Sequence, residues 1–169
     1  NIGEGQGLHQ IVPFLAEYLG NEFEFHIYGD GGKKNELLQL LEKYQIPNVK
    51  IFAPVSREEL KKIYKESDYL FLHLNDYEAF RKVLPSKIFE YGATEKPVIA
   101  GVSGYCARFI KQHLPSWIVF EPTNLADFKK EFEKDKDSVP VNTLFKKRFN
   151  RTNIMNKLVE KVLDTAKDK

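Results

Sequence analysis

The chain has 169 residues, enough for one domain with a sizeable core, and its 42% apolar and 30% charged residues are ordinary for a soluble globular protein. A net charge of +2 does not mark a nucleic-acid binder, and a single cysteine, Cys106, excludes an internal disulfide and a cysteine-rich metal site. No apolar run approaches the roughly 20 residues of a membrane span, and the lone cysteine fits a reducing compartment, so a cytoplasmic location is expected.

The chain opens on Asn1-Ile2-Gly3-Glu4-Gly5-Gln6-Gly7, a glycine loop with no strand before it. Such a loop normally follows a strand in an α/β protein, so a piece of a longer polypeptide is expected. From Gly7, Leu8, Ile11, Val12, Leu15 and Leu19 recur at helical spacing until Gly20. Phe23 to Tyr28 alternates and is rich in aromatics, which predicts a strand. Gly29-Asp30-Gly31-Gly32 is a turn, followed by a helix over Asn35 to Tyr44 and a strand over Val49 to Phe52. Ser56-Arg57-Glu58-Glu59 is a capping-box pattern that starts a helix ending near Ser67.

Tyr69 to Leu74 is a nearly continuous apolar run, as in a strand buried on both faces of a parallel sheet. A loop, Asn75 to Leu84, leads to a helix that opens at Ser86 and closes near Thr94, then a short strand from Pro97 to Ala100. Helices over Ser103 to Gln112, Asn124 to Lys134 and about Thr152 to Lys167 follow, with a strand over Trp117 to Phe120 and a solvated charge run at Lys134 to Asp137. The last helix carries Ile154, Leu158, Val159 and Val162 on one face. Strands alternating with helices at this pitch predict an α/β fold: a three-layer, doubly wound, Rossmann-like parallel sheet in a single domain. Ligands of such sheets sit outside the carboxyl ends of the strands, which directs attention to Gly3–Gly7, Gly29–Lys33, Pro54–Ser56 and Asn75–Ser86.

The stretch around Ser86 carries the most chemistry. Ser86 is expected as an N-cap, and an open helix start beside Lys87 offers an anion free N–H groups, the positive dipole end and a cation. Glu90, four residues on, projects from the same face one turn deeper. Together they suit a phosphorylated sugar; the plainer alternative is an amphipathic helix with two solvated charges. Gly3-Glu4-Gly5-Gln6-Gly7 exposes backbone N–H groups as phosphate cradles do, or is a flexible turn. It matches neither a Walker loop nor the dinucleotide fingerprint. The glycines after Tyr28 would let a base or ribose approach the backbone, or make a loop-to-helix transition capped by Asp30. His9, His26, His73 and His113 show no metal-ligand spacing and read as packing or surface residues; His73, which ends the buried run, is the one to watch. Asp76 and Glu78 are a possible carboxylate pair or two solvated acids, and Arg81 and Lys82 lie within reach of a diphosphate.

Assembled, these pieces resemble the carboxyl-terminal, nucleotide-sugar-binding domain of GT-B glycosyltransferases, in the family-four-like retaining group that builds bacterial polysaccharides. The resemblance covers essentially the whole chain. It rests on Gly3-Glu4-Gly5-Gln6-Gly7-Leu8, Ile27-Tyr28-Gly29-Asp30-Gly31, Val49 to Val55, Ser67 to Leu72, Leu84 to Ala93, and Lys96-Pro97-Val98-Ile99-Ala100. The variant it looks most like is the amino-sugar or deoxysugar transferases of capsule, O-antigen or exopolysaccharide synthesis, with Pro85-Ser86-Lys87 at the helix start.

The resemblance implies that Glu90 binds the donor ribose and that the N–H groups of Ser86 and Lys87 hold the diphosphate. The base would lie near Gly29, Pro54 and Val55, with the loop of Gly3, Gly5 and Gln6 closing over the phosphates. No cofactor and no metal are implied beyond the nucleoside-diphosphate sugar, UDP- or GDP-linked. The acceptor would bind an amino-terminal domain absent here, toward which the helix over 152–169 would pack, and the full-length enzyme would work at the inner face of the membrane. Two positions depart from the family pattern. Lys82 stands where many relatives place a second, sugar-contacting glutamate, with Glu78 or Asp76 as substitutes. Gln6 stands where many carry a basic residue for the β-phosphate, a charge that Lys87, Lys82 or Arg81 would restore. The rival readings are a nicotinamide-dinucleotide oxidoreductase domain, supported by Asp30 after a strand, and a non-enzymatic flavodoxin-like binding module.

Overall fold

The computed structural model describes residues 1–138 and 143–167, without the side chains of residues 162, 166 and 167. Expectations that fall on Val162 and on residues 168–169 lie outside the described residues. The chain alternates as predicted: α1 (Leu8–Leu19), β1 (Phe25–Tyr28), α2 (Lys34–Lys43), β2 (Val49–Phe52), α3 (Arg57–Glu66) and β3 (Leu70–His73). Then come α4 (Lys87–Gly92), β4 (Val98–Gly101), α5 (Gly104–His113), β5 (Ile118–Phe120), α6 (Leu125–Asp135), α7 (Thr143–Arg148) and α8 (Arg151–Lys167). Every strand pairing among the described residues is parallel.

Two apolar layers sandwich the strands, so the expected doubly wound α/β class is what forms. On one face α1, α2 and α6 bury Ile11, Val12, Leu15, Leu37, Leu41, Phe128 and Phe132. On the other, α4 and α5 bury Ile88, Cys106, Phe109 and Ile110 against Leu70, Leu72, Val98 and Ala100. Odd and even residues of one strand therefore serve different cores: Ile99 belongs to the first layer, Val98 and Ala100 to the second. That is the physical reason the β3 and β4 segments are apolar without alternation. The strands form two ladders, β1–β2 and β3–β4–β5, rather than one continuous sheet.

Local sequence sets most boundaries. Ser56 caps α3 by accepting from the Glu59 N–H (3.2 Å), and Asn124 caps α6 by accepting from the Asp127 N–H (3.0 Å). β1 begins at Phe25 rather than Phe23, because a short 3-10 turn, Gly20–Glu22, occupies the chain after α1. Asp30 does not cap the next helix; its carboxylate accepts from the Gly31 N–H (2.8 Å), and Lys33 takes the N-cap place without a side-chain bond.

The short helix α7 has no counterpart in the sequence reading. Six residues cannot display a helical stripe, and Leu144 is exposed. Packing holds it instead. The Phe145 ring lies 6.0 Å from Phe89, 6.4 Å from Phe109 and 4.6 Å from Phe149, centroid to centroid. Gly92 at the end of α4 admits this ring, which a Cβ there would overlap. Gly92→Ala would gain helix propensity and lose that seat, for a net destabilisation of about 1–2 kcal/mol. Urea unfolding measures it; undiminished stability would mean α7 is not seated on α4.

Candidate functional site

The carboxyl ends of β1, β2 and β3 gather the loops singled out from sequence. The glycine loop forms a 3-10 turn over Glu4–Gln6, and Gly7 turns into α1 with φ +57°, a conformation natural to glycine. Gln6 does not face outward: its Oε1 accepts from the Gly3 N–H (3.2 Å) and closes the loop on itself.

Residues at the end of β3 clasp that loop. The Asn75 N–H donates to the Gly5 carbonyl (2.8 Å), and the Asn75 amide donates to the Glu4 carbonyl (3.1 Å) and carboxylate (3.2 Å). The Phe80 ring lies over Gly5, which has no Cβ to obstruct it. Tyr77 donates to the Glu4 carboxylate, and Lys33 pairs with it at 3.1 Å. These two partners, Tyr77 first, lower the Glu4 pKa.

His73 completes the clasp from below. Only 2% of its surface is exposed. Its Nδ1 lies 2.7 Å from the Gln6 carbonyl, which can only accept, while the Thr123 N–H, which can only donate, lies 3.2 Å from Nε2. The pair of partners selects the neutral tautomer with the proton on Nδ1. Burial pushes the pKa down from 6.5 to about 4, against the opposing pull of the Gln6 carbonyl.

Across the Asn75 to Leu84 loop stands the start of α4. The expected N-cap at Ser86 does not form: Ser86 already has helical dihedrals (φ −57°, ψ −26°) and its hydroxyl makes no capping bond. The turn closes one residue earlier, on Pro85, whose carbonyl accepts from the Ile88 N–H (3.1 Å), while Phe89 donates to Ser86 (3.0 Å). Proline's fixed φ suits that place. Ile88 and Phe89 thus make the first donations, which leaves the Ser86 and Lys87 N–H groups at the open end of the turn.

Glu90 and Lys87 meet on that exposed edge. The Lys87 Nζ is 2.8 Å from the Glu90 carboxylate and 3.0 Å from the Tyr64 hydroxyl. It also sits over two rings, 5.7 Å from the centre of Tyr64 and 5.5 Å from that of Tyr91. Burial works against the ammonium charge, but the hydrogen bonds to Glu90 and Tyr64 prevail and raise its pKa.

The structure brings some expected residues together and leaves others apart. Gly3, Gly5 and Gln6 share the clasped loop, and Ser86, Lys87 and Glu90 share the tip of α4. Gly29 is buried beside Asn1, while Pro54 is exposed and Val55 half-buried after β2. A Cβ on Gly31 would meet the Ile2 carbonyl, so that glycine makes room for the chain's own backbone. Lys82 and Glu78 are almost fully solvated and 3.8 Å apart. Arg81 is held by Asp76 in a two-bond pair (3.1 and 3.0 Å), and Ser103 adds a bond to Asp76 at 3.3 Å. Among the described residues, no group of three or more His, Cys, Asp and Glu is placed to hold a metal ion. The sequence reading missed Asn75 and Thr123 as parts of the clasp. A usable signal was there: His73 and Asn75 are polar groups ending a buried strand, and such groups must find partners.

A model of the glycosyl transferases group 1 family matches residues 2–140. The chain belongs to the group 1 glycosyl transferases. No individual curated protein matches it significantly. Membership of this family, on a parallel α/β framework, makes the loop-bearing edge described above the place to seek glycosyl transfer chemistry. Among the described residues no helix is long and apolar enough to cross a membrane.

The clasp gives this glycosyl transferase domain a defined acid response. A histidine buried neutral stabilises the fold fully above its unfolded pKa of 6.5, and that contribution is lost as pH falls toward about 4. Comparing wild type with His73→Gln by urea unfolding between about pH 8 and about pH 4.5 should show a gap that shrinks by up to about 3 kcal/mol on acidification. A gap independent of pH would refute the neutral clasp.

Proposed function

We propose that this chain is the donor-binding half of a retaining glycosyltransferase and that the tip of α4 takes a nucleoside-diphosphate sugar, UDP- or GDP-linked. The observation that carries the reading is the exposed Lys87–Glu90 pair beside two open N–H groups at Ser86 and Lys87. The N–H groups and the Lys87 ammonium would receive the diphosphate, and the Glu90 carboxylate would accept from the ribose hydroxyls. Gly29, Pro54 and Val55 would border the base. The glycine loop of Gly3, Gly5 and Gln6 would close over the phosphates, with the clasp holding it in place.

In the transfer itself the bond from the anomeric carbon to the β-phosphate oxygen breaks and a bond to an acceptor oxygen forms, with the same anomeric configuration. The charge that develops on the departing diphosphate would be met by the α4 tip and by Lys82, whose exposed ammonium has only a long 3.8 Å contact with Glu78 to give up, whereas Arg81 is committed to Asp76. Glu78 is the proposed substitute for the sugar-contacting acid. The acceptor, a growing polysaccharide or a lipid-linked sugar at the cytoplasmic face of a membrane, would bind a separate amino-terminal domain. The apolar face of α8, with Ile154, Met155, Leu158, Val159 and Leu163 each about half exposed, would meet that domain.

Calorimetric titration of the chain with UDP, GDP and NAD tests the reading. One of the diphosphates is expected to bind and NAD is not. Glu90→Ala should weaken that binding by about 10- to 100-fold, as befits loss of a hydrogen bond to a charged group. Unchanged affinity with an intact fold would sink the assignment.

A further inference from the structure

The tip of α4 leans on a residue that it does not carry. The Lys87 Nζ donates to the Tyr64 hydroxyl (3.0 Å), and Tyr64 stands 23 residues earlier in sequence, on α3. The tyrosine oxygen is the acceptor, because an ammonium can only donate. The same ring lies 5.7 Å from the Nζ, with the Tyr91 ring at 5.5 Å. Two rings, one hydroxyl and the Glu90 carboxylate therefore surround the cation.

These partners differ in how firmly each is held. Glu90 is one turn from Lys87 on the same helix, and the Lys87 and Glu90 side chains are 37% and 44% exposed. An exposed pair of that kind does little to fix two long side chains. Tyr64 is anchored. Its ring packs against the core beneath α4 and α5 and meets Tyr91 edge-on, with 5.3 Å between ring centres and planes at 88°. A tyrosine has only two side-chain torsions, so a packed ring also fixes its oxygen. The helix that carries it is secured at both ends. Ser56 caps its start, and the Ser67 hydroxyl donates to the carbonyl of Ile63, the neighbour of Tyr64 (2.7 Å).

An ammonium has three N–H donors. Tyr64 takes one and Glu90 a second, which leaves one for a ligand. In the proposed donor complex Glu90 turns to the ribose, and Lys87 loses its partner on α4 just as its charge is needed. Tyr64 does not have to move. Its oxygen and ring stay beside the cation while Glu90 changes partner. Without that fixed point the ligand itself would have to order the flexible four-carbon stem of the lysine, at a cost in affinity.

We propose that Tyr64 is a positioning residue of the donor site, whose hydroxyl holds the Lys87 ammonium at the place of the diphosphate before the ligand arrives and while Glu90 changes partner. The inference rests on the donor reading of the α4 tip.

Tyr64→Phe tests it, since that change removes the oxygen and keeps the ring. Titration with whichever of UDP and GDP binds the wild-type chain should show the variant weaker by at least about fivefold. Introduced into Lys87→Gln, the same change should alter affinity by less than about twofold, because no ammonium is left to position. An equal loss in both backgrounds marks a purely structural role and overturns the inference. In the ligand-free chain, nitrogen-15 NMR should resolve the Lys87 ammonium, slowed in exchange by its partners, and lose that signal in Tyr64→Phe. A signal missing from wild type, or unchanged in the variant, overturns the inference as well. Failure of the donor reading looks different. In that case neither nucleotide binds the wild-type chain, and this inference falls with it. Wild-type binding that Tyr64→Phe leaves intact removes the role of Tyr64 alone.

Discussion

The imidazole of His73 is the point on which the loop-bearing edge depends. It ends a largely buried strand, yet it is polar, and its two nitrogens are satisfied by backbone groups from Gln6 and Thr123. Segments 67 and 50 residues away in sequence are thereby tied to one ring. An unpaired ring nitrogen in that position would carry a desolvation penalty of about 1–3 kcal/mol, so the two segments are held wherever the ring is. Asn75, two residues on, adds three bonds to the same glycine loop, and the loop is therefore anchored from the sheet rather than from α1.

The framework was legible in the sequence wherever one residue decides a local choice. Ser56 and Asn124 can accept from the N–H three residues on, and both do. The apolar run of β3 has the look of a strand covered on both faces, and its residues do pack into both cores. Ser86 shows the limit. Its hydroxyl had the right chemistry for a cap, but Pro85 before it moved the first turn back by one residue, and local chemistry alone does not rank two adjacent starts. Helix α7 was illegible for a different reason. What holds it is a set of rings on α4 and α5, brought together only when the chain folds.

The candidate site was legible as a list of residues more than as an arrangement. That Lys87 and Glu90 share a face follows from helical geometry, and the structure has them in contact. That Arg81 would be claimed by Asp76, and Gln6 by Gly3, does not follow from spacing, because each contact depends on how an irregular loop folds. The same holds for Glu4, whose partners Tyr77, Asn75 and Lys33 come from two other loops.

The pairing of Lys87 with Glu90 bears on selectivity. Both side chains are over a third exposed, so their attraction is weak, about 0–1 kcal/mol, and easily exchanged. Each nevertheless keeps the other neutralised. An anion that drew the ammonium aside would take the carboxylate's partner away, and a polyol that engaged the carboxylate would leave the ammonium with the Tyr64 hydroxyl and the Tyr64 and Tyr91 rings. A ligand carrying an acidic group and vicinal hydroxyls a helical turn apart, as the proposed donor does, would engage both at once. Under the proposed assignment, this edge would then favour a molecule that carries both halves over one that carries either alone.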